Sequence, residues 1–148
     1  RKVVAEALRR RLPENPTRRI LDVGCGTGGM LEMLTAFGPT VCGMDMSADA
    51  IAFCRERGLG EKVRLLQGRL PDDLPPEASQ WDLVTAFDVI EHLDDDRAVL
   101  RDIRGVLAPG GRLVVTVPAF NFLWGPHDDL NLHKRRYTAA MLRAALAD

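Results

Sequence analysis

The chain has 148 residues, 46% hydrophobic and 28% charged, with a formal net charge of −1. That length suits one domain with a sizeable core, the balanced charge gives no global pull toward nucleic acid or membrane, and no apolar run approaches the ~20 residues of a spanning helix. No signal peptide is recognisable, and Cys25, Cys42 and Cys54 form no C-x-x-C pair, so a disulfide framework or cysteine-based zinc site is not expected and a reducing cytoplasm is the natural setting.

In chain order, residues 3–12 (VVAEALRRRL) read as a helix with Val4, Leu8 and Leu12 on one face, punctuated by Pro13 and Pro16. RRILDVG is a short strand ending in glycine. GGMLEMLTAFG is a helix presenting Met30, Leu34 and Phe37, with Gly38 as its stop. TVCGMD is a second strand. SADAIAFCRERG is a helix with Ser47 as N-cap and Gly58 as terminator. KVRLLQG is a third strand, RLPDDLPPEASQ a proline-rich loop and WDLVTAFD a fourth strand. DDDRAVLRDIRGVLAPGG is a helix with an acidic start and a Pro-Gly-Gly stop, followed by the fifth strand RLVVTVP. Residues 119–137 read as a long irregular lid or substrate segment, and Thr138 caps a last helix. Phe122 and Trp124 are either lid anchors or core residues.

Strands alternating with helices predict an α/β fold: one domain with a doubly wound, mainly parallel sheet and helices on both faces. Ligands in such sheets bind beyond the carboxyl ends of the strands, near the switch point, so the loops after each strand are where function is expected.

The first of these loops lies in ILDVGCGTGGM. Gly24, Gly26 and Gly29 satisfy G-x-G-x-x-G, and Asp45 follows Gly24 by 21 positions at the end of the second strand. A dinucleotide fold places its ribose-binding carboxylate there, which keeps a nicotinamide-dependent oxidoreductase open. Asp22 argues otherwise. A carboxylate two positions before the first glycine gains nothing beside a pyrophosphate, but it suits a cationic ligand. S-adenosylmethionine carries an ammonium and a sulfonium and no phosphate. Asp22 then takes the ammonium side, and Asp45 accepts from both ribose hydroxyls. The oxidoreductase also lacks a Tyr-x-x-x-Lys pair: Tyr137 is the only tyrosine, and Ala140 and Met141 stand where the lysine would be.

LDVGCGTG, with Asp45 after the second strand and FDVIEHL after the fourth, resembles the class I S-adenosylmethionine-dependent methyltransferases. WDLVTAFDVIEHLDD, LAPGGRLVVTVP and HKRRYT are similar to the small-molecule branch, near the ubiquinone-biosynthesis O-methyltransferases and uncharacterised bacterial enzymes. The resemblance implies roles residue by residue. Gly24, Cys25 and Gly26 line the methionyl part of the cofactor, Asp45 holds the ribose, and Met46 packs on the adenine face. Gly68, Arg69 and Leu70 border the adenine edge, and Phe87 and Asp88 sit beside the sulfonium. Many members carry an aspartate where this chain has Arg69, which cannot accept a hydrogen bond; a backbone carbonyl, Asp72 or Asp73 would substitute. The family sheet has seven strands, the last two antiparallel. This chain lacks them, which leaves the fifth strand as an apolar edge. With Arg1 in place of Met, this suggests a trimmed chain.

The expected acceptor is a small molecule, with O-methylation favoured, no nucleic acid and no membrane span. Nucleic-acid amino-methylation would call for a Pro-Pro-aromatic run where Asp88-Val89-Ile90 stands. A non-catalytic cofactor-binding module is a further alternative. If the acceptor is a hydroxyl, His92, His127 and His133 are the base candidates, since imidazole titrates near neutral pH. His92 could equally cap or pack against the next helix. His127, Asp128, His133 and Tyr137, with Glu91 and His92, could line a substrate pocket or hold a divalent cation; no metal ligand is assigned. Lys134, Arg135 and Arg136 either steer an anionic substrate or pair with acidic neighbours.

Overall fold

A computed structural model describes residues 1–12, 14–75 and 80–147. The break expected at Pro13 and the middle of the proline-rich loop (76–79) lie outside the described residues. The strands are β1 (Arg19–Val23), β2 (Thr40–Asp45), β3 (Arg64–Gln67), β4 (Trp81–Phe87) and β5 (Leu107–Thr116). They form one all-parallel sheet in the order β3-β2-β1-β4-β5. The order reverses at β1, so the crevice beyond the ends of β1 and β4 is where a ligand fits.

The sheet is buried on both faces because successive residues along each strand point opposite ways. Ile20 joins a core with Leu8, Leu31, Leu34, Ile51 and Leu83. Leu21 and Val23 join the other core with Met44, Trp81, Val84 and Ile103. The helices among the described residues are α1 (Lys2–Arg11), α2 (Leu31–Leu34), α3 (Ala48–Glu56), α4 (Asp96–Val106), α5 (Pro126–Leu130) and α6 (Ala139–Leu146). Side-chain caps hold three of them: Ser47 Oγ accepts from Ala50 N at 3.2 Å, Asp95 Oδ1 from Ala98 N at 2.9 Å and Thr138 Oγ1 from Met141 N at 3.2 Å. Gly58 ends α3 with φ +75°.

Three expectations are corrected. The helix expected over GGMLEMLTAFG shrinks to the four residues of α2, because the preceding glycine loop and the Thr35–Phe37 stretch are held in turns. The Pro-Gly-Gly stop is not part of a helix. It lies inside β5, where the register shifts between Trp81 and Leu83 and Gly110 takes φ +77°; a Cβ at Gly111 would meet Trp81 O at 2.7 Å. The segment 119–137 is not irregular throughout. Pro126 opens α5, and Asp128 Oδ2 accepts from Gly125 N at 2.8 Å to fix its first turn.

β5 is an edge strand, and the antiparallel pair of the resembling family has no counterpart among the described residues. No described helix is long and apolar enough to cross a membrane. The two tryptophans differ in setting. Trp81 is 1% exposed inside the sheet core, whereas Trp124 is 40% exposed and donates its Nε1–H to Asp129 Oδ1 at 2.9 Å. Phe122, 82% exposed, is no core residue either.

Candidate active site

β1 ends and the chain must turn at once into the crevice. Gly24, Gly26 and Gly28 make that turn with φ of +68°, +52° and +78°. Gly24 is doubly constrained: a Cβ there would lie 2.5 Å from Val89 Cγ2, on the loop after β4. The backbone freedom of glycine thus brings the β1 and β4 loops together. Cys25 N donates to Met44 O and Gly26 N donates to Asp45 Oδ2 at 2.7 Å, which ties the same loop to β2.

Asp22 lies beneath this turn, 2% exposed, accepting from Thr85 Oγ1 at 2.6 Å. Burial pushes its carboxyl up to about 7, partly offset by the Thr85 bond and reinforced by the charge of Asp45. Burial also raises the Cys25 thiol, with Asp22 adding to the effect, so Cys25 is a packing residue rather than a nucleophile. Asp45 is already engaged by the backbone. Besides Gly26 N, it accepts from Ser47 N through Oδ1 at 2.9 Å. Each oxygen retains a further lone pair for a ligand hydroxyl.

Two cavities meet at Gly24 and Asp88. The larger, about 710 Å³, is walled by Asp45, Met46, Gly68, Arg69 and Leu70 on one side and by Asp88, Val89, His92 and Ala98 on the other. The smaller, about 480 Å³, is lined by Asp22, Cys25, Gly26, Met30, Phe87 and Thr116. Every residue expected to touch the cofactor lines one or both. At the position expected to border the adenine, Asp73 Oδ2 accepts from Arg69 N at 2.8 Å. Asp88 has φ +54° and is held by Thr116, whose O accepts from Asp88 N at 3.0 Å and whose Oγ1 donates to Asp88 Oδ1 at 3.2 Å. Such a non-glycine conformation persists only where its surroundings hold it.

The three histidines separate. His92 lines the larger cavity, with its charged form disfavoured by burial and by His133. His133 packs edge-on to it at 4.8 Å between centroids and is bound through Nδ1 to Asp128 Oδ1 at 2.9 Å. His127 is exposed on α5, 6.5 Å from His133, and lines neither cavity. The basic run is paired. Arg136 grips the buried Asp128 through Nε and Nη2 at 2.8 Å each, and this bond holds that carboxyl well below its usual range. Arg135 bonds to Asp96 and to the Leu93 and Asp94 carbonyls, and Lys134 pairs with Asp94. Tyr137 is a buried strut whose hydroxyl donates to Asp96 Oδ2 at 2.6 Å.

Sequence reasoning missed Thr85, Val89 and Thr116. Thr85 was findable as the one hydroxyl in a strand whose other polar residue, Asp82, sits at its start; the other two contacts depend on how loops from separate strands meet.

An open parallel sheet with a glycine loop, a buried acid behind it and a second acid on the next strand defines a Rossmann-like domain for a nucleoside-bearing cofactor. The methyltransferase domain family model matches residues 1–145, and the chain belongs to that family: it is an S-adenosylmethionine-dependent methyltransferase domain. The ubiquinone biosynthesis O-methyltransferase of Vibrio parahaemolyticus is 33% identical over 98 residues, covering 65% of this chain and 42% of that protein. Its Bordetella avium counterpart is 35% identical over 96 residues, covering 64% and 40%. The chain thus spans about two fifths of the length of these curated relatives. Among solved structures, the YcgJ protein from Bacillus superposes with TM-score 0.81 at 19% identity, over 99% of this chain and 67% of that one. An S-adenosylmethionine-dependent methyltransferase from Mesorhizobium loti gives 0.74 at 25% identity, over 96% and 78%. The family membership displaces the oxidoreductase alternative.

Proposed function

We propose that this domain transfers the methyl group of S-adenosylmethionine to a hydroxyl of a small-molecule acceptor by in-line displacement. The observation that carries the reading is His92 in the wall of the larger cavity, partly desolvated and biased toward its neutral form. A neutral imidazole accepts a proton from a hydroxyl as its oxygen attacks. The names of the curated relatives, O-methyltransferases, support the same chemistry.

The residues fit the cofactor: a buried acid for an ammonium, a glycine loop whose Gly26 faces open space in the smaller cavity, and a carboxylate with spare lone pairs at Asp45. When bound, the cofactor supplies a methyl on a positively charged sulfur, already activated toward a nucleophile. The protein's part is placement. Asp22 would hold the ammonium, Asp45 the ribose hydroxyls, Met46 the adenine face, and Gly68, Arg69 and Leu70 its edge. Gly24, Cys25 and Gly26 let the backbone lie against the methionyl chain, with Phe87 and Asp88 flanking the sulfonium. Holding the reactants in line can lower the barrier by about 7–11 kcal/mol. Neither His133 nor His127 is placed to be the base, since neither lines the cavity. Three free thiols support a reducing, cytoplasmic setting.

Calorimetric titration with S-adenosylmethionine, its demethylated product and NAD⁺ tests the cofactor; the first two bind and the third does not. A panel of phenols, alcohols and amines then tests the acceptor class. Turnover of a hydroxyl acceptor that falls in His92→Ala is expected. Preference for amines, or unchanged turnover in that variant, would sink the hydroxyl chemistry. Binding without turnover would favour a cofactor-binding module.

A further inference from the structure

We propose that Glu91, His92 and His133 form a binding site for a late first-row divalent cation of the zinc class. One ligating atom from each residue lies within 4.8 Å of the other two. Glu91 is 0% exposed, and neither of its carboxylate oxygens has a hydrogen-bond partner from any other described residue. A fully buried carboxylate left without partners is costly, and buried charges are normally paired or bound to metal.

The histidines are prepared as ligands. Asp128 Oδ1 holds His133 at Nδ1, leaving Nε2 as the nitrogen able to coordinate. Asp128 is itself fixed by Arg136 and by Gly125 N. A carboxylate behind an imidazole is the arrangement that orients metal-bound histidines. The His92 ring is steadied by the Asn131 and Leu132 backbone and stands at 79° to His133. Two imidazoles and one carboxylate suit zinc and its cobalt and nickel neighbours better than magnesium or calcium, which prefer all-oxygen sets. Because His92 also lines the larger cavity, the site borders the space where an acceptor enters, and a fourth position can stay open.

This deepens the hydroxyl chemistry and, in that respect, rests on it. A cation here would bind and acidify the acceptor oxygen, with His92 serving as its ligand instead of as a free base. Cation binding itself is read without turnover, so the two readings fail separately.

The test uses tag-free protein stripped with a chelator, then titrated with Co²⁺ in the visible spectrum and with Zn²⁺ against a chromophoric chelator. One equivalent is expected, with cobalt d–d bands. Glu91→Gln and His133→Ala should each abolish it. Asp128→Asn should weaken it about 10–100-fold, and His127→Ala should leave it unchanged. Cofactor titration of every variant confirms folding; should His133→Ala fail that check, His133→Gln replaces it. Failure of the wild-type protein to take up either ion overturns the proposal. So does full retention of the equivalent in a Glu91→Gln, His133→Gln double variant that still binds cofactor, which would mark an adventitious ion only.

Discussion

The two sides of the crevice are built by different means. On the β1–β2 side the shape is a property of the backbone: three left-handed glycines, with backbone N–H groups closing onto Asp45. On the 119–137 side the shape comes from side-chain charges held together: Asp128 with Arg136 and His133, Asp96 with Tyr137 and Arg135, Asp94 with Lys134. A backbone cradle serves one fixed ligand, because glycine turns leave little to vary. A framework of side chains can be re-cut by substitution while the sheet beneath stays intact. The first region suits a cofactor common to a family, and the second suits an acceptor that differs between members.

The sharpest way to separate the two sides is Asp45→Ala. Two charge-assisted bonds to the ribose, each worth about 1.5–3 kcal/mol, should go with it, so cofactor affinity falls by about 10²-fold or more in a calorimetric titration. Gly24→Ala comes next. It asks for a side chain at φ +68° with Val89 Cγ2 2.5 Å away, and it should lower unfolding stability by about 2–4 kcal/mol in urea titrations. Tyr137→Phe probes the other side. The buried Asp96 would lose its 2.6 Å donor while keeping Arg135, for a loss of about 1–3 kcal/mol with cofactor affinity unchanged. A cofactor affinity that fell in parallel would show that the two sides are mechanically one.

The gentlest probe is pH. Asp22 has its carboxyl raised from 3.8 to about 7 by burial. The ligand-free folded state therefore keeps a proton that the unfolded chain has released. Its contribution lowers stability as pH rises from about 4 to about 7 and levels off above that. Cofactor affinity runs the opposite way. The ammonium needs the ionised carboxylate, so affinity should fall by up to about tenfold per unit as pH drops below 7. Asp22→Asn should bind weakly and flatten that dependence. A wild-type affinity independent of pH between 5.5 and 8 would remove Asp22 from contact with the ammonium.

What could be read in the sequence follows the same divide. The glycines and Asp22 were legible because the turn brings those residue types together within a few positions, and Asp45 because it closes the next strand at a fixed offset from them. So were the caps at Ser47 and Thr138, which act within three residues. The Pro-Gly-Gly of β5 misled because its glycines serve a bulge against Trp81 and not a helix stop. Asp128, His133 and Arg136 sit at separations of 5 and 8, matching neither helix nor strand, so their pairing required the folded segment. Nothing local marked Glu91 for full burial; residues 131–137, far along the chain, fold over it, and Lys134 N donates to its carbonyl at 2.8 Å.

The placement of the two tryptophans gives the molecule a built-in optical readout. Trp81, sealed in the sheet, should emit at short wavelength and ignore a dissolved quencher, whereas Trp124, 40% exposed, stands within reach of one on the 119–137 segment. Quenchable fluorescence therefore reports on that segment alone. A compound that settles on that segment would shield the signal before any methyl group moved, so binding there can be screened by light without knowing the product.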